Sequence, residues 1–331
     1  MKQLFVDDHG VQEINNLARK LHPLQRFHAN AVVRPENRWE NEAIQIRTTP
    51  SYNPEDGLFR MTYKAASEGA DVGLARTGRG QSFTCYATSE DAINWDKPNL
   101  GIYDYSGLTW RGTPIGTENN ILFDQNLRGA LYDPNAAEAN ERFKGLIYRR
   151  GELHAAASSD CIHWQDMEVP PISSSDESHF SLDPREKLFI AMVKHTGPYG
   201  RSFFLTTSDD FKQWSKQELV FHADQVDQEN GFERLQRFFD DPTYLTPVCN
   251  RPEEWRTDVY NFPVFRYEGL YLGTPVMHHW TAKHPPLYEN VDSRKSVELT
   301  CSRDLRHWER VADRAAFLEL SPVGNGSAYD T

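Results

Sequence analysis

Ser89-Glu-Asp91-Ala-Ile-Asn-Trp95 returns three more times along this chain. The copies are Ser158-Ser-Asp160-Cys-Ile-His-Trp164, Ser208-Asp-Asp210-Phe-Lys-Gln-Trp214 and Ser302-Arg-Asp304-Leu-Arg-His-Trp308. Three fixed positions in four copies mark an internal repeat, which uses four of the eight Trp residues. The Ser and Asp side chains suit a tight turn, because they accept hydrogen bonds from nearby backbone N–H groups. Asp91, Asp160, Asp210 and Asp304 are therefore expected to be structural, and each Trp to enter an outer strand.

A second marker precedes each copy: a turn, then an apolar strand. The markers are Tyr52-Asn-Pro-Glu-Asp-Gly57, Tyr132-Asp-Pro134, Leu182-Asp-Pro184 and Arg266-Tyr-Glu-Gly269. Asx-Pro and Glu-Gly are turn chemistry, and the segments after them are rich in β-branched and aromatic residues. Asp133 and Asp183 are accordingly read as turn residues. Each unit then reads as strand, Asx-Pro turn, strand, loop, strand, Ser-x-Asp turn and Trp strand. That is a four-stranded antiparallel meander, and meanders repeated about an axis make an all-β propeller. No long amphipathic helix is expected to interrupt the pattern, and the best helical segment is Val11–Leu21.

Composition narrows the function. With 36 Lys+Arg against 48 Asp+Glu, the net charge is 36 − 48 = −12. Nucleic acid and anionic membrane surfaces are therefore disfavoured as partners, since both require a basic face. No apolar run approaches the ~18 residues of a membrane span. Hydrophobic residues at 38% and charged residues at 25% suit a folded globular chain. Cys85, Cys161, Cys249 and Cys301 form no CxxC pair, so neither a zinc site nor a disulfide scaffold is expected. The first ten residues contain no apolar stretch of signal-peptide length, so a cytoplasmic location with reduced thiols is expected; a trimmed signal would instead mean secretion or the periplasm. Phe, Tyr and Trp make up 12% of the chain, which fits both sheet packing and a sugar-stacking surface.

These motifs resemble the five-bladed β-propeller glycoside hydrolases, the superfamily of families 32, 43, 62, 68 and 117. The chain is most similar to an uncharacterised bacterial group within it. Leu4–Asp8, Leu21-His-Pro23, Asn30–Pro35 with Trp39-Glu40, Tyr86–Gly101, Asn119-Asn120 and Phe265–Gly273 carry that likeness. In the Tyr86–Gly101 stretch, Ala92 stands where the group has Gly. The resemblance implies five four-stranded blades and action on a glycosidic bond. It also admits a cation on the axis, but no ligand spacing here predicts one, so no cofactor is expected. The Trp-Met-Asn-Asp-Pro and Arg-Asp-Pro motifs of the fructan-cleaving families are absent. Invertase-like chemistry is therefore not implied, and the families' three acids cannot be transferred.

Propeller sites lie where the innermost strands begin, so the acids upstream of each turn marker are the candidates. They are Glu40 and Glu42, then Glu118 and Asp124, then Asp176 and Glu177, then Asp258. Glycosidic cleavage needs one carboxylic acid for the leaving oxygen and one carboxylate as base or nucleophile. Asp176, Asp258 and Glu40 are the catalytic candidates. The first two sit closest to their turn markers, and Glu40 follows a Trp. Trp39, Glu118, Asn120, His179, Tyr260, His279 and Trp280 are the substrate-binding candidates. His28 and His278 are further polar candidates, and Trp110 and Trp255 further stacking candidates. Arg128, Arg234 and Arg237 could hold an anionic sugar substituent. The plainer alternative for each is structural: acids that solvate a channel, hydrogen-bonded histidines, packed aromatics and solvated arginines.

The leading expectation is an exo-acting glycoside hydrolase that takes an oligosaccharide or a polysaccharide end. A non-catalytic carbohydrate-binding propeller would show an aromatic platform without a carboxylate pair. A glycoside phosphorylase would need Arg, Lys or His beside the acid to hold phosphate. The expected organisation is a single propeller domain over 1–331, with 1–38 as an N-terminal segment packing on or closing it. Only 23 residues follow Trp308, too few for a further blade. Gly326–Asp330 reads as the start of another inner strand. Either the N-terminal segment closes the last blade or the chain is a truncated piece of a longer protein, and the resemblance points to the second.

Overall fold

The computed structural model describes residues 2, 4–27, 31–41, 43–46, 49–67, 81–105, 109–110, 113–114, 116–283 and 291–324, with the side chains of 67, 81, 109–110 and 113–114 left aside. His28, Glu42, the Trp110 side chain and 326–330 lie outside the described residues.

The all-β architecture expected from the repeat is what folds. Among the described residues five antiparallel sheets of four or five strands form, the number that five propeller blades need. The first orders Ala43–Ile46, Leu58–Ser67, Gln81–Ser89 and Ile121–Phe123. The second orders Trp164–Asp166, Glu152–Ser158, Phe143–Arg149 and Asn126–Tyr132. The third orders His179–Asp183, Leu188–Gly197, Gly200–Ser208 and Glu218–Phe221. In chain order each has an Asx turn before its long second strand and a Ser-x-Asp turn after the strand that follows, but of the three repeat Trp residues only Trp164 enters an outer strand; Trp95 and Trp214 lie outside the strands, and the first sheet is completed by Ile121–Phe123.

The last repeat unit yields two sheets. The fourth contains Arg256–Asn261, Val276–Lys283, Val291–Glu298 and Ala316–Glu319. The fifth contains Val264–Tyr267, Leu270–Gly273, Thr300–Ser302 and Glu309–Arg310. Pro263 and Pro275 fall at the breaks between them. Proline has no N–H for a ladder and interrupts the pairing there. The break is stitched by Thr274 N donating to the Pro263 carbonyl at 3.0 Å and by Glu298 N donating to the Pro275 carbonyl at 3.0 Å.

The Ser-x-Asp turn repeats almost atom for atom. Asp91 Oδ1 accepts from the N–H groups of Ile93 and Asn94 at 2.8 and 2.7 Å, and the Trp95 indole donates to the Ala92 carbonyl at 3.1 Å. Asp160 and Asp304 do the same with their own neighbours, and Trp164 and Trp308 donate at 3.0 and 2.9 Å. Asp210 accepts from Lys212 and Gln213, both at 2.8 Å. The residue after each Asp has a left-handed backbone: Ala92, Cys161, Phe211 and Leu305 have φ of 59°, 67°, 63° and 65°. That requirement explains why glycine suits the position. The four aspartates are thus structural, as are Asp133 and Asp183, whose Oδ1 atoms accept from Asn135 N at 2.9 Å and Arg185 N at 3.0 Å.

One expectation fails. Val11–Leu21 is not helical, and the α-helix among the described residues is Gln225–Asp240. Asp224 caps it by accepting from Asp227 N at 3.1 Å, and the Asp227 side chain answers from within the first turn. Its buried positions, Asp227, Gly231, Leu235 and Phe238, form a narrow stripe that is only half apolar. That weak periodicity hides the helix from a pattern search.

The chain divides into two compact units, 1–30 with 191–206 and 216–331, and 31–190 with 207–215. The first two sheets belong to the second of these units. There Trp39, Met61, Tyr63, Phe83, Tyr105 and Ile121 form one core cluster, with Trp95 packed on it. Tyr86, Leu122, Leu127, Phe143 and Ile147 form another, with Trp164. In the other unit, Leu4, Val6 and Leu21 pack on Leu270, Leu299 and Val311. Leu24 N donates to the Phe317 carbonyl at 2.8 Å, and Asp7 pairs with Arg303. Residues 4–24 therefore lie on the last two sheets and add no strand to them, whereas Val33 packs on the core of the first sheet.

Candidate functional site

The alternation of strands decides what the fourth sheet can present. Register pairs Arg256 with Trp280 and Asp258 with His278, and carries on from His278 to Lys295. Side chains two apart share a face, so Arg256, Asp258 and Tyr260 stand beside Trp280, His278 and Lys295. Thr257, His279 and Ser296 face the other way.

Asp258 is 1% exposed. Its Oδ1 lies 3.0 Å from His278 Nδ1, and its Oδ2 accepts from Arg201 Nη1 at 3.0 Å. Gly200 precedes Arg201 with φ +108°, and a Cβ there would come within 3.1 Å of Asp258 Oδ2. Glycine thus lets the backbone of that turn approach the carboxylate. Burial alone would raise the Asp258 carboxyl, but the His278 bond and the Arg201 charge outweigh it and hold it below the usual range. Burial pushes the His278 imidazole down, against the opposing pull of Asp258, so the ring is neutral near pH 7. An ionised carboxylate on Nδ1 takes the N–H there, leaving Nε2 with a lone pair. This pair can orient and exchange a proton.

Aromatic rings and cations surround the pair. The His278 ring lies 5.2 Å from Tyr260 and 5.9 Å from Trp280. Lys194 Nζ and Lys295 Nζ lie 4.6 and 4.4 Å from the Tyr260 ring centre. Arg256 Cζ lies 3.6 Å from the Trp280 ring centre, and Arg201 Cζ 5.4 Å from it.

His279, expected to bind substrate, is fully buried on the opposite face. Its Nδ1 lies 2.9 Å from Thr257 Oγ1 and its Nε2 3.0 Å from Ser296 Oγ. Helix Gln225–Asp240 covers it at Gly231, where a Cβ would stand 2.0 Å from Thr257 Oγ1. Arg234 donates from this helix to Glu298 Oε1 at 2.9 Å, and Arg237 pairs with Glu319 at 2.6 Å, so both arginines have structural partners. Trp255 stacks on Phe239 with ring centres 5.5 Å apart and donates to Asn250.

The other unit places the remaining candidates. Glu40 has no exposed surface. Its Oε2 accepts from Glu36 N, Asn37 N and Lys97 Nζ at 2.8, 2.9 and 2.9 Å, and its Oε1 from the Tyr63 hydroxyl at 2.5 Å. Burial would raise this carboxyl, but those donors together hold it low. Asn120 donates to the Tyr63 hydroxyl at 2.7 Å and accepts from the Trp39 indole at 3.0 Å. Trp39, Glu40 and Asn120 are thus members of one closed hydrogen-bond chain. Glu118 and Asp124 are exposed.

Asp176 is part-exposed, and its carbonyl accepts from the hydroxyls of Ser174 and Ser178 at 3.2 and 3.3 Å. Beside it Glu177 lies 3.8 Å from Arg128, whose guanidinium sits 4.7 Å from the Tyr148 ring centre. His179 is 6% exposed, and its Nδ1 has no hydrogen-bond partner among the described residues. Burial pushes its pKa down to about 4.

Among the described residues, Asp7, Cys301 and Glu309 bring ligand-type atoms within 4.8 Å of one another, but Asp7 already pairs with Arg303. None of the four cysteines is in a disulfide. No described helix is long and apolar enough to cross a membrane.

Solved structures that the chain matches include glycoside hydrolases of families 32, 93 and 117. A putative glycoside hydrolase from Parabacteroides distasonis is 13% identical at a TM-score of 0.45, covering 92% of this chain and 85% of its own. A family 117 glycoside hydrolase from Zobellia galactanivorans is 11% identical at a TM-score of 0.42, covering 94% and 79%. An N-acetylgalactosamine deacetylase from F. plautii, solved with blood group B trisaccharide, is 13% identical at a TM-score of 0.44, covering 84% and 70%. Likenesses this distant transfer no residue, substrate or reaction. No protein-family model matches the chain, and no curated protein is similar to it.

Proposed function

We propose that the chain binds carbohydrate and cleaves a glycosidic bond, with Asp258 as one of the two carboxylates used. The observation that carries this reading is the Asp258–His278 pair, set beside Tyr260 and Trp280 on one face of the fourth sheet. Held ionised, Asp258 is suited to act as base or nucleophile and not as the acid that protonates the leaving oxygen. His278 Nε2 is the further proton acceptor of the site. Tyr260 is the part-exposed ring of this face against which a sugar can stack, whereas the Trp280 ring is covered by Arg256. The preferred substrate in this reading is an oligosaccharide or a chain end cut in exo fashion.

Glu40→Gln is expected to act on stability and not on turnover, because every Glu40 oxygen already has a donor. A second reading, a non-catalytic carbohydrate-binding protein, is favoured by one feature: Asp258 is the one carboxylate among the described contacts of His278 and Arg201. Screening aryl glycosides and oligosaccharides against wild type and Asp258→Asn separates the two. Turnover lost in Asp258→Asn supports the hydrolase. Full turnover in that variant removes Asp258 from the mechanism. Sugar binding without any turnover supports the second reading.

A further inference from the structure

The Asp258 face carries more positive charge than proton transfer needs. Arg256 is exposed, lies on the Trp280 ring at 3.6 Å, and makes no ion pair with a described carboxylate. Arg201 reaches both Asp258 and Trp280. Lys194 and Lys295 bring two ammonium groups to the Tyr260 ring. Trp280 is 7% exposed, and its indole N–H has no acceptor among the described residues. A buried N–H is costly to leave without an acceptor, so this one marks a place where an acceptor belongs. A guanidinium held flat on an aromatic ring is already ordered, and its fork matches a carboxylate or sulfate in a way an ammonium does not. The hydroxyls of a neutral sugar can accept from either donor, but only an anion also answers the positive charge of this face.

We infer that this face is an oxyanion subsite, with Arg256 and the Trp280 N–H as its donors and Arg201 held by Asp258 beside them, and that it holds a charged group of the sugar: a uronic carboxylate or a sulfate ester. The inference rests on the carbohydrate reading proposed above and names the substrate class for the same site. Asp258 confines the anion to the Arg256 and Trp280 end of the row, since two carboxylates on one guanidinium repel.

Calorimetric titration of the full chain tests it. The probes are galacturonate, glucose 6-sulfate, galactose, glucose and inorganic phosphate, each at low and high salt. The charged sugars should bind roughly tenfold or more tighter than their neutral counterparts, as one charge-assisted contact implies. The gap should shrink at high salt. Arg256→Gln should remove most of it, and Arg256→Lys should restore part. Phosphate that binds as tightly as the charged sugars, with the same Arg256 dependence, assigns the subsite to free phosphate. Weak phosphate binding beside strong sugar-acid binding assigns it to a charged sugar. Equal affinity for charged and neutral sugars, no binding of any charged probe, or a gap untouched by Arg256→Gln overturns the inference. Binding is read without turnover, so the two proposals fail separately. A wild type that prefers charged sugars but cleaves nothing loses the hydrolase reading alone. A wild type that cleaves neutral glycosides with no charge preference loses the subsite alone.

Discussion

His278 and His279 are neighbours in sequence and opposites in structure. Both are buried, and burial pushes both imidazoles down. On one face His278 meets Asp258, Tyr260 and Trp280 among four cationic side chains. On the other, His279 bonds Thr257 and Ser296 beneath a helix whose Gly231 is packed against them. The difference teaches that burial and hydrogen bonding do not by themselves mark a functional histidine. What separates the two is the partner: a carboxylate that fixes a tautomer on one side, and hydroxyls that fill both ring nitrogens on the other. Glu40 repeats the lesson among carboxylates. It is as buried as Asp258, yet its donors are backbone N–H groups, a tyrosine and a lysine that together close a capping turn.

The sharpest way to break this comparison is to swap the roles. Asp258→Asn should lower turnover by about 10²- to 10⁴-fold, the range of a lost acid–base group. His279→Gln should leave turnover of the folded protein near wild type and lower its melting temperature. Steady-state kinetics beside thermal melts decides, and the reverse pattern would place the chemistry on the helix-covered face.

Acidification probes the buried histidines next. The unfolded chain protonates its histidines near pH 6.5, while buried His179 resists until about 4. The unfolded state therefore binds more protons between these values, and stability falls as the pH drops through that window. His179 alone accounts for about 3 kcal/mol of the loss. Denaturant titrations at pH 7 and pH 4.5 should show it, and His179→Gln should flatten the dependence. A wild-type stability that does not fall over this range would contradict the burial of these rings.

Gly231→Ala comes third. Alanine is the better helix former by about 1 kcal/mol. Its Cβ would nevertheless stand 2.0 Å from Thr257 Oγ1, far inside contact distance. Overpacking should win, with a net loss of about 2 kcal/mol in urea unfolding. A stabilised variant would mean that helix and sheet are packed less closely than that distance requires.

The smallest effect lies at a repeat turn, remote from both faces. Ala92 holds φ 59° where glycine is unstrained. Relief of about 1–2 kcal/mol of left-handed strain is partly offset by the added freedom of the unfolded chain. Ala92→Gly should raise stability by about 0.5 kcal/mol with turnover unchanged, measured by thermal melts and the same kinetic assay.

Much of the fold was legible because its signals are local. A Ser-x-Asp turn is closed by atoms three or four residues apart, and Asx-Pro turns likewise, so four copies announce four meanders. The helix at Gln225–Asp240 escaped notice because its buried stripe includes an aspartate and a glycine, which only make sense against Arg310, Thr257 and His279. The division of the last unit into two sheets was visible in principle at Pro263 and Pro275. Among the candidates, Asp258 with its neighbour Tyr260 follows from position before a turn marker and Trp280 from lying outside the repeat element, and the three share one face. His279 was preferred over His278 at a register that a single bulge between Val259 and Asn261 helps to set.

The sequence by itself determined the repeat, the turns that close it, the all-β class and the net charge of −12. Each of these depends on contacts within a few residues or on composition, and neither needs the chain to fold before it can be read. Only the tertiary structure decided which acids are answered by donors and which face a cluster of charge. Arg201 and Asp258 are 57 residues apart, and Lys97 and Glu40 are likewise 57 apart. A carboxylate's role follows from the partners that reach it, and those partners come from strands and loops that meet only when the sheets assemble.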